Sequence, residues 1–446
     1  MKKTLLIFSV LIFSFAFLQA QDQSAFDLQE AVDFALLNNA QIKKARNNVL
    51  KAQKKVWETT AMGLPQIDAT ASYQKFIKQP VQLLPAKIMN PMAPPDTYVP
   101  VKFGTEQNMK WSATLKQLIF SGSYLVGLQS SRTYKKISEN ALTKTRQKVK
   151  EAVVSAYGNA LLTDESIKIM QKNIKTVQKN LFEVQQMYKN GLVEQTDVEQ
   201  LQITLSNLQN QSDYLKRMQT VAYQMLNFTL GRPIDAPLQL TDNIESLREK
   251  NMQLDLLQKK FSPDNNIDYL IAQNQEKAKR LQVKFQKSKA LPSIAAFVNY
   301  GKNAYNNDFE FFNDTQNWYE QSVFGLSINI PVFSSWARSA QLKQAQLDLI
   351  NAQNDVSTKA KELQLQYNKA KNEYEHSFKN YEIAKQNLKL AEKIEQKEHI
   401  KFNEGVGNSF QLNQARIQLY QSQQQYLQSV IDIVNKKTVL ENLLGL

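Results

Sequence analysis

The chain has two imidazoles, His376 and His399, and no cysteine. His376 closes the run Glu373-Tyr374-Glu375-His376, and His399 follows Glu395 by four residues. Two carboxylates beside a histidine can begin a metal site, and a histidine near an acid can serve a nucleophilic triad. Both lie inside a long Lys- and Glu-rich helical segment, so each reads as part of a solvated face. No metal and no cofactor is expected. The absence of thiols excludes cysteine nucleophiles, disulfides and thiolate metal sites. Glycine numbers only 12, and neither GxGxxG nor GxxxxGKS/T occurs, which removes the usual nucleotide cradles. An enzyme is not expected, and no catalytic residue stands out.

The first twenty residues read as a secretory signal: Lys2-Lys3, an apolar run from Leu5 to Leu18, then Ala20 before a polar stretch. Loss of Lys2 and Lys3 takes the formal charge from +14 to +12. No cysteine follows the signal, so a lipid-anchored N-terminus is excluded. Nothing later resembles a transmembrane helix. A basic balance can point to nucleic acid, but export argues against that partner. The lysines run along the whole chain, so a solvated surface is expected.

The organisation is a duplication. Leu64-Pro65-Gln66-Ile67 is echoed by Leu291-Pro292-Ser293-Ile294, and Tyr73-Gln74-Lys75 by Tyr300-Gly301-Lys302, both at a shift of 227. Ile119-Phe120-Ser121 matches Val332-Phe333-Ser334 at 213. Gly191 matches Gly405, and Leu230-Gly231 matches Leu444-Gly445, both at 214. The fall from 227 to 213 places about fourteen extra residues between Tyr73 and Phe120 of the first copy. The expected organisation is a signal peptide over 1–20, a first repeat over 21–230, a joining segment over 231–263 and a second repeat over 264–446.

Each copy has the same order of elements. A helical stretch, Phe26 to Gly63 in the first copy, leads into period-two alternation. Ile67, Ala69, Ala71 and Tyr73 share one face, and Asp68, Thr70, Ser72 and Gln74 the other. Four strands are expected, at about 66–75, 109–119, 293–302 and 322–332, long enough to cross a bilayer when tilted. Phe297 interrupts the pattern on a nominally polar face. The loop within each strand pair, proline-rich over 76–107 and aromatic over 303–320, is expected outside the cell.

Proline-free helices follow, at about 123–189 and 335–403. In the first, Val153, Ala160, Ile167, Ile174, Leu181 and Tyr188 recur every seventh residue. Val149, Ala156, Met170, Val177 and Val184 form a second such series. Together they make a coiled-coil seam, which a shift of 214 carries onto Leu363, Tyr367, Ala370, Tyr374, Tyr381, Ala384, Leu388 and Ala391. Each long helix ends at a glycine turn, and a shorter helix runs back, at about 196–230 and 409–444. Its glutamines, such as Gln421 and Gln423 to Gln425, suit a wet cavity or plain solvent.

Four strands cannot close a barrel alone, since single-chain barrels begin at about eight. Open edges in lipid cost several kcal/mol per unpaired backbone group. The sheet must therefore be completed by other copies, in a ring with head-to-tail contacts.

The opening run from Phe26-Asp27-Leu28-Gln29-Glu30-Ala31 to Leu36-Leu37-Asn38-Asn39, the two Leu-Pro strand starts, the Phe120-Ser121-Gly122 strand exit and both glycine turns carry a resemblance. Over essentially its whole mature length the chain resembles the TolC-like outer-membrane efflux proteins. The resemblance implies an α+β membrane protein and a homotrimer. Its twelve-stranded transmembrane β-barrel, four strands per chain, would continue into a periplasmic coiled-coil α-barrel, with residues 231–263 in a belt around the middle. It implies the exit duct of a tripartite efflux or type I secretion system in the outer membrane. The helix-hairpin tips at Gly191 and Gly405 would dock a periplasmic adaptor (membrane fusion) protein serving an inner-membrane pump. Outer-membrane lipid is an implied partner, and nucleic acid is not. The turn Gly191-Leu192-Val193-Glu194 departs from the family's glycine-serine turn, which bears on the adaptor-facing tip. The alternatives are an exported periplasmic adaptor, which would carry one hairpin between glycine-rich β-domains, and a coiled-coil adhesin, which would lack the four strands.

The two seams part at their far ends. At a shift of 214, Leu181 becomes Glu395 and Val184 becomes Glu398, just before the Gly405 turn. A buried unpaired carboxylate is costly, so these turns either pack loosely or hold by pairing, with Lys393, Lys397, Lys401 and Arg416 as candidate partners. Glu395, Glu398 and Glu404 are the expected periplasmic gate. Fraying of a solvated helix end is the alternative.

Overall fold

The computed structural model describes residues 24–446, so the expected signal peptide lies outside the described residues. In chain order the first copy holds β1 (Ala25–Phe26), α1 (Leu28–Asn38), α2 (Ala40–Ala61), β2 (Gln66–Lys75), β3 (Val81–Pro85), β4 (Tyr98–Lys102), β5 (Gln107–Ser121), α3 (Gly122–Lys189) and α4 (Gln195–Leu230). Then come β6 (Gln239–Leu240), α5 (Ile244–Asn251), α6 (Ile267–Ser288), β7 (Ser293–Asn306), β8 (Trp318–Asn329), α7 (Ala337–Asn403) and α8 (Ser409–Leu444). Two compact units emerge. One gathers the described residues up to Asn48 with Ser138–Ala272 and Val356–Leu446; the other holds Val49–Ile137 and Gln273–Asp355. Among the described residues no helix is long and apolar enough to cross a membrane.

The second unit is built on a four-stranded antiparallel sheet in the order β2-β5-β7-β8. Its register aligns Ile67 with Leu115, Leu115 with Val298 and Val298 with Phe324, so one face carries an apolar row across all four strands. Because side chains alternate, the other face is polar. There the Thr70 and Ser112 hydroxyls meet at 3.1 Å, and Asn299 Nδ2 donates to Thr114 Oγ1 at 2.7 Å. Phe297, the misfit of the alternation, lies over Gly325, where a Cβ would run into its ring. The aromatic therefore fills space that a glycine vacates. β5 skips a residue of register between Leu118 and Phe120, a bulge at Ile119. Among the described residues, β2 and β8 have no further strand beside them.

The proline-rich segment is more ordered than a loop. β3 and β4 pair antiparallel, with Pro100 opposite Leu83 and Pro85 opposite Tyr98. An isolated two-stranded ribbon has two free edges, where a missing N–H is tolerated. In the second copy's shorter loop, Phe311 is buried and stands edge-on to Tyr73. Asn307 ties the two segments together, accepting from Glu106 N and Gln107 Nε2.

The first unit is helical. Val149, Val153, Ala156, Ala160, Val177 and Val184 of the α3 seam are buried, as are Leu363, Tyr367, Ala370, Tyr374, Tyr381, Ala384 and Ala391 on α7; Tyr188, next to the turn, is exposed. Two of the α8 glutamines turn toward α3: Gln424 accepts from Ser166 at 3.1 Å and Gln423 from Asn173 at 3.2 Å.

The helical stretch expected from Phe26 to Gly63 is divided at Asn39, for a reason the second copy repeats. Asn39 is buried; its Nδ2 donates to Thr229 O at 2.7 Å and its Oδ1 accepts from Gln41 N at 2.8 Å. Asn266, 227 residues on, donates to Leu443 O at 3.1 Å and accepts from Asp268 N at 2.9 Å. Each asparagine thus starts one helix and ties down the end of another. Those ends are capped by Gly231 and Gly445, at φ +82° and +78°, with the backbones of Asn38 and Asn265 packed where a Cβ would stand. Asn39→Ala or Asn266→Ala strands a buried carbonyl and an N–H, so each should lose about 1–3 kcal/mol, read as a lower thermal midpoint.

The joining segment closes on the N-terminus. β6 pairs in parallel with β1. Asp242 beyond it has a side chain 2 % exposed and gathers Leu28 N at 2.9 Å, Tyr157 Oη at 3.1 Å and Lys250 Nζ at 2.9 Å.

Candidate functional site

The two glycine turns have matching geometry. Gly191 and Gly405 take φ +72° and +74° with open space around them, so the left-handed backbone alone demands glycine there. Leu192 N donates to Met187 O and Val406 N to Lys401 O, both at 3.0 Å, closing the last helical turn in each copy. Past the turns, Ser409 Oγ at the start of α8 donates to the Asp197 carboxylate on α4, tying the two returning helices together.

The helices behind the turns differ in chemistry. In the first copy Val184 is buried and Leu181 half-buried, within an apolar cluster with Met170, Val177, Val198 and Leu201. In the second, Glu395 faces Arg416 across the helix pair, with Arg416 Nε at 3.3 Å from Glu395 Oε1. Arg416 has a side chain 1 % exposed and Glu395 one 19 % exposed. Both terminal nitrogens of Arg416 lack a hydrogen-bond partner among the described residues. Burial pushes the neighbouring Tyr420 hydroxyl up to about 12. Glu398 pairs one turn along its own helix with Lys401 at 2.6 Å. Glu404 lies exposed in the turn, outside this paired group.

Of the three carboxylates expected at the gate, then, Glu395 pairs with a buried cation, Glu398 with a surface lysine, and Glu404 is exposed. Lys393 and Lys397 are not the partners. Arg416 was nameable as a partner from sequence; that it is the most deeply buried charge of the group was not. At the position matching Arg416 in the first copy stands Gln202, so acid and base are introduced together in one copy. The two histidines do not assemble a site, and among the described residues no three His, Cys, Asp or Glu side chains converge as metal ligands would.

The family model for outer membrane efflux proteins matches residues 31–232 and 264–446. The chain belongs to the outer membrane efflux protein family. Curated protein sequences give no significant match. Solved structures give several of similar fold. The outer membrane protein VceC of Vibrio cholerae superposes with a TM-score of 0.71 at 14 % identity, over 94 % of this chain and 96 % of that one. The CmeC outer membrane channel of Campylobacter jejuni gives 0.71 at 15 %, over 94 % and 85 %. The open state of the Neisseria gonorrhoeae MtrE outer membrane channel gives 0.70 at 15 %, over 94 % and 88 %. At such identities the likeness is one of fold. Within this outer membrane efflux protein, the ionic end of the second helix pair is therefore a feature to be read from its own residues.

Proposed function

We propose that this outer membrane efflux protein is the exit duct of a tripartite efflux or type I secretion system. Three copies would close a twelve-stranded barrel. The observation that carries this reading is the sheet: four strands, one apolar face, one polar face, and two open edges. Its end strands β2 and β8 run in opposite directions, because four antiparallel strands alternate. Setting β8 of one copy beside β2 of the next keeps every pair antiparallel, so a ring forms without reversing any strand. Lipid would cover the apolar face, water would fill the lumen, and no backbone edge would remain in hydrocarbon.

On this reading the Gly191 and Gly405 turns are the periplasmic tips that meet an adaptor coupled to an inner-membrane pump. The Glu395–Arg416 pair with Glu398 forms the closure of the second helix pair, and residues 231–263 belong to the belt.

The natural chain has no cysteine, so introduced pairs report without background. One cysteine along β2 (at Thr70, for instance) and one along β8, scanned over Ser322 to Leu326, should oxidise to covalent trimers in at least one register. Detergent-extracted protein should also conduct in planar bilayers. A water-soluble monomer that never cross-links would end the barrel reading.

A further inference from the structure

The expectation of evenly spread charge fails once the helices are grouped by unit. The helical stretches of the sheet-bearing unit, residues 49–61, 122–137, 273–290 and 334–355, hold fourteen Lys and Arg against four Asp and Glu. That is a net +10, most of the surplus of the whole chain. Three of the four acids are spent on neighbours: Glu58 on Lys55, Glu276 on Arg280, and Asp348 on Lys279.

The surplus is focused in a groove of about 330 Å³ between α3 and α6, lined by Arg132, Lys136, Lys277, Arg280 and Lys284. Thr133 and Asn274 add neutral hydrogen-bonding groups, and Arg280 pairs with the Glu276 carboxylate one turn away. Both walls lead to apolar residues at the foot of the sheet. On α3, Arg132 and Lys136 lie seven and eleven residues beyond the exposed Leu125, on one helical stripe. On α6, Lys284 lies four residues before Ser288, where the helix ends, and the exposed Leu291 follows just past it. Seven residues of helix span about 10 Å.

The apolar face has an aromatic and ionic border at its far end, where Trp111 stands edge-on to Tyr300 and Lys302 pairs with Glu320 at 2.6 Å. At its near end Trp57 and Trp336, the latter 79 % exposed, mark a second border. Tryptophan favours such membrane–water interfaces. The groove begins just past that border. Headgroups add roughly 5–8 Å beyond the hydrocarbon on each side, and Lys and Arg stems extend their charges toward them.

We propose that the α3–α6 groove binds the phosphate of an anionic phospholipid headgroup in the periplasmic leaflet. This rests on the barrel reading above. Arginine supplies a planar fork for phosphate oxygens and lysine a point charge. Arg132, Lys277 and Lys284, with no carboxylate in the lining of the groove, leave a potential that a zwitterionic headgroup does not satisfy. Bound there, the lipid fixes the height at which the barrel sits.

The test titrates detergent-solubilised full chain with phosphatidylglycerol, phosphatidylethanolamine and inorganic phosphate, reading bound lipid by native mass spectrometry. Phosphatidylglycerol should bind at least tenfold more tightly than phosphatidylethanolamine, and inorganic phosphate should displace it only weakly. The variant R132Q/K277Q/K284Q should lose that preference about tenfold. The control K51Q/K289Q/K343Q, with the same change in charge outside the groove, should lose less than threefold. Equal loss in both would replace the site by a diffuse field. Free phosphate binding as tightly as the lipid would make it a site for soluble anions. Altered ion selectivity in bilayers with unchanged lipid binding would turn the groove toward passing cargo. Any of these overturns the proposal. A chain that conducts but shows no lipid preference defeats the groove alone; one that never enters a bilayer defeats the barrel reading first.

Discussion

Replacing Glu395 alone with leucine should loosen the end of the second helix pair by about 3–5 kcal/mol, and adding Arg416→Leu should recover most of the loss. Removing one partner of a buried pair leaves the other charge desolvated and uncompensated, whereas replacing both with apolar groups is often neutral or stabilising. Arg416 is the member that cannot escape to water, since its side chain is 1 % exposed and its terminal nitrogens already lack partners. Copying the first copy's seam with Glu395→Leu and Glu398→Val therefore fails as a way to tighten the tip unless Arg416 changes too. Thermal midpoint and proteolysis near the Gly405 turn read the stability. In bilayers, Glu395→Leu should raise single-channel conductance, and Glu395→Leu/Glu398→Val/Arg416→Leu should lower it below wild type. Equal stability of Glu395→Leu and wild type would remove the pair from any role in closure.

The second large effect is expected at Asp242. Truncation by Asp242→Ala strands Leu28 N and leaves the Tyr157 hydroxyl with Phe26 O alone, a loss of about 1–3 kcal/mol. Lys250 is half exposed and returns to water. Asp242→Asn keeps an acceptor for those groups and should lose less. Burial by itself would raise the Asp242 pKa, but Lys250, Leu28 N and the Tyr157 hydroxyl hold it below the usual carboxylate range. A carboxyl that ionises more readily when folded stabilises fully above its unfolded value, about 3.9. That contribution disappears as pH falls through the lower folded value. The stability difference between wild type and Asp242→Asn should therefore be constant near neutrality and shrink below about pH 4. A pH-independent difference would assign the effect to shape and not to charge.

Periodicity made much of the chain legible. The heptad series on α3 and α7 repeats often enough that one missing member, Thr163 between Ala156 and Met170, does not hide it, and most of its members are buried, Tyr188 beside the turn excepted. The strands read from alternation for the same reason, and Phe297 misled only until its partner Gly325 was known. What stayed hidden depends on pairs distant in sequence. Asn39 and Asn266 obey the same shift of 227 as the Leu-Pro pairs, so a search for matched single polar residues could have found them. Nothing local marks them as buried. Asp242 acts through Leu28 and Tyr157, 214 and 85 residues away, and no spacing rule reaches that far. The β3–β4 pair was obscured by its prolines, which argue against a strand wherever both edges are occupied. At the candidate site the seam comparison located Glu395 and Glu398, but the depth of Arg416 is a property of packing.

The open edges at β2 and β8 also give the chain a chemical order of reaction. On the three-copy reading proposed above, the stability of the sheet is set by mass action, as in any obligate oligomer. For a three-copy ring, the ratio of assembled to free protomer varies as the square of the free concentration, so halving that concentration cuts the ratio fourfold. Dilution would thus leave protomers whose sheets are still waiting for neighbours. During that interval the apolar row through Ile67, Leu115, Val298 and Phe324 is the surface most in need of escort.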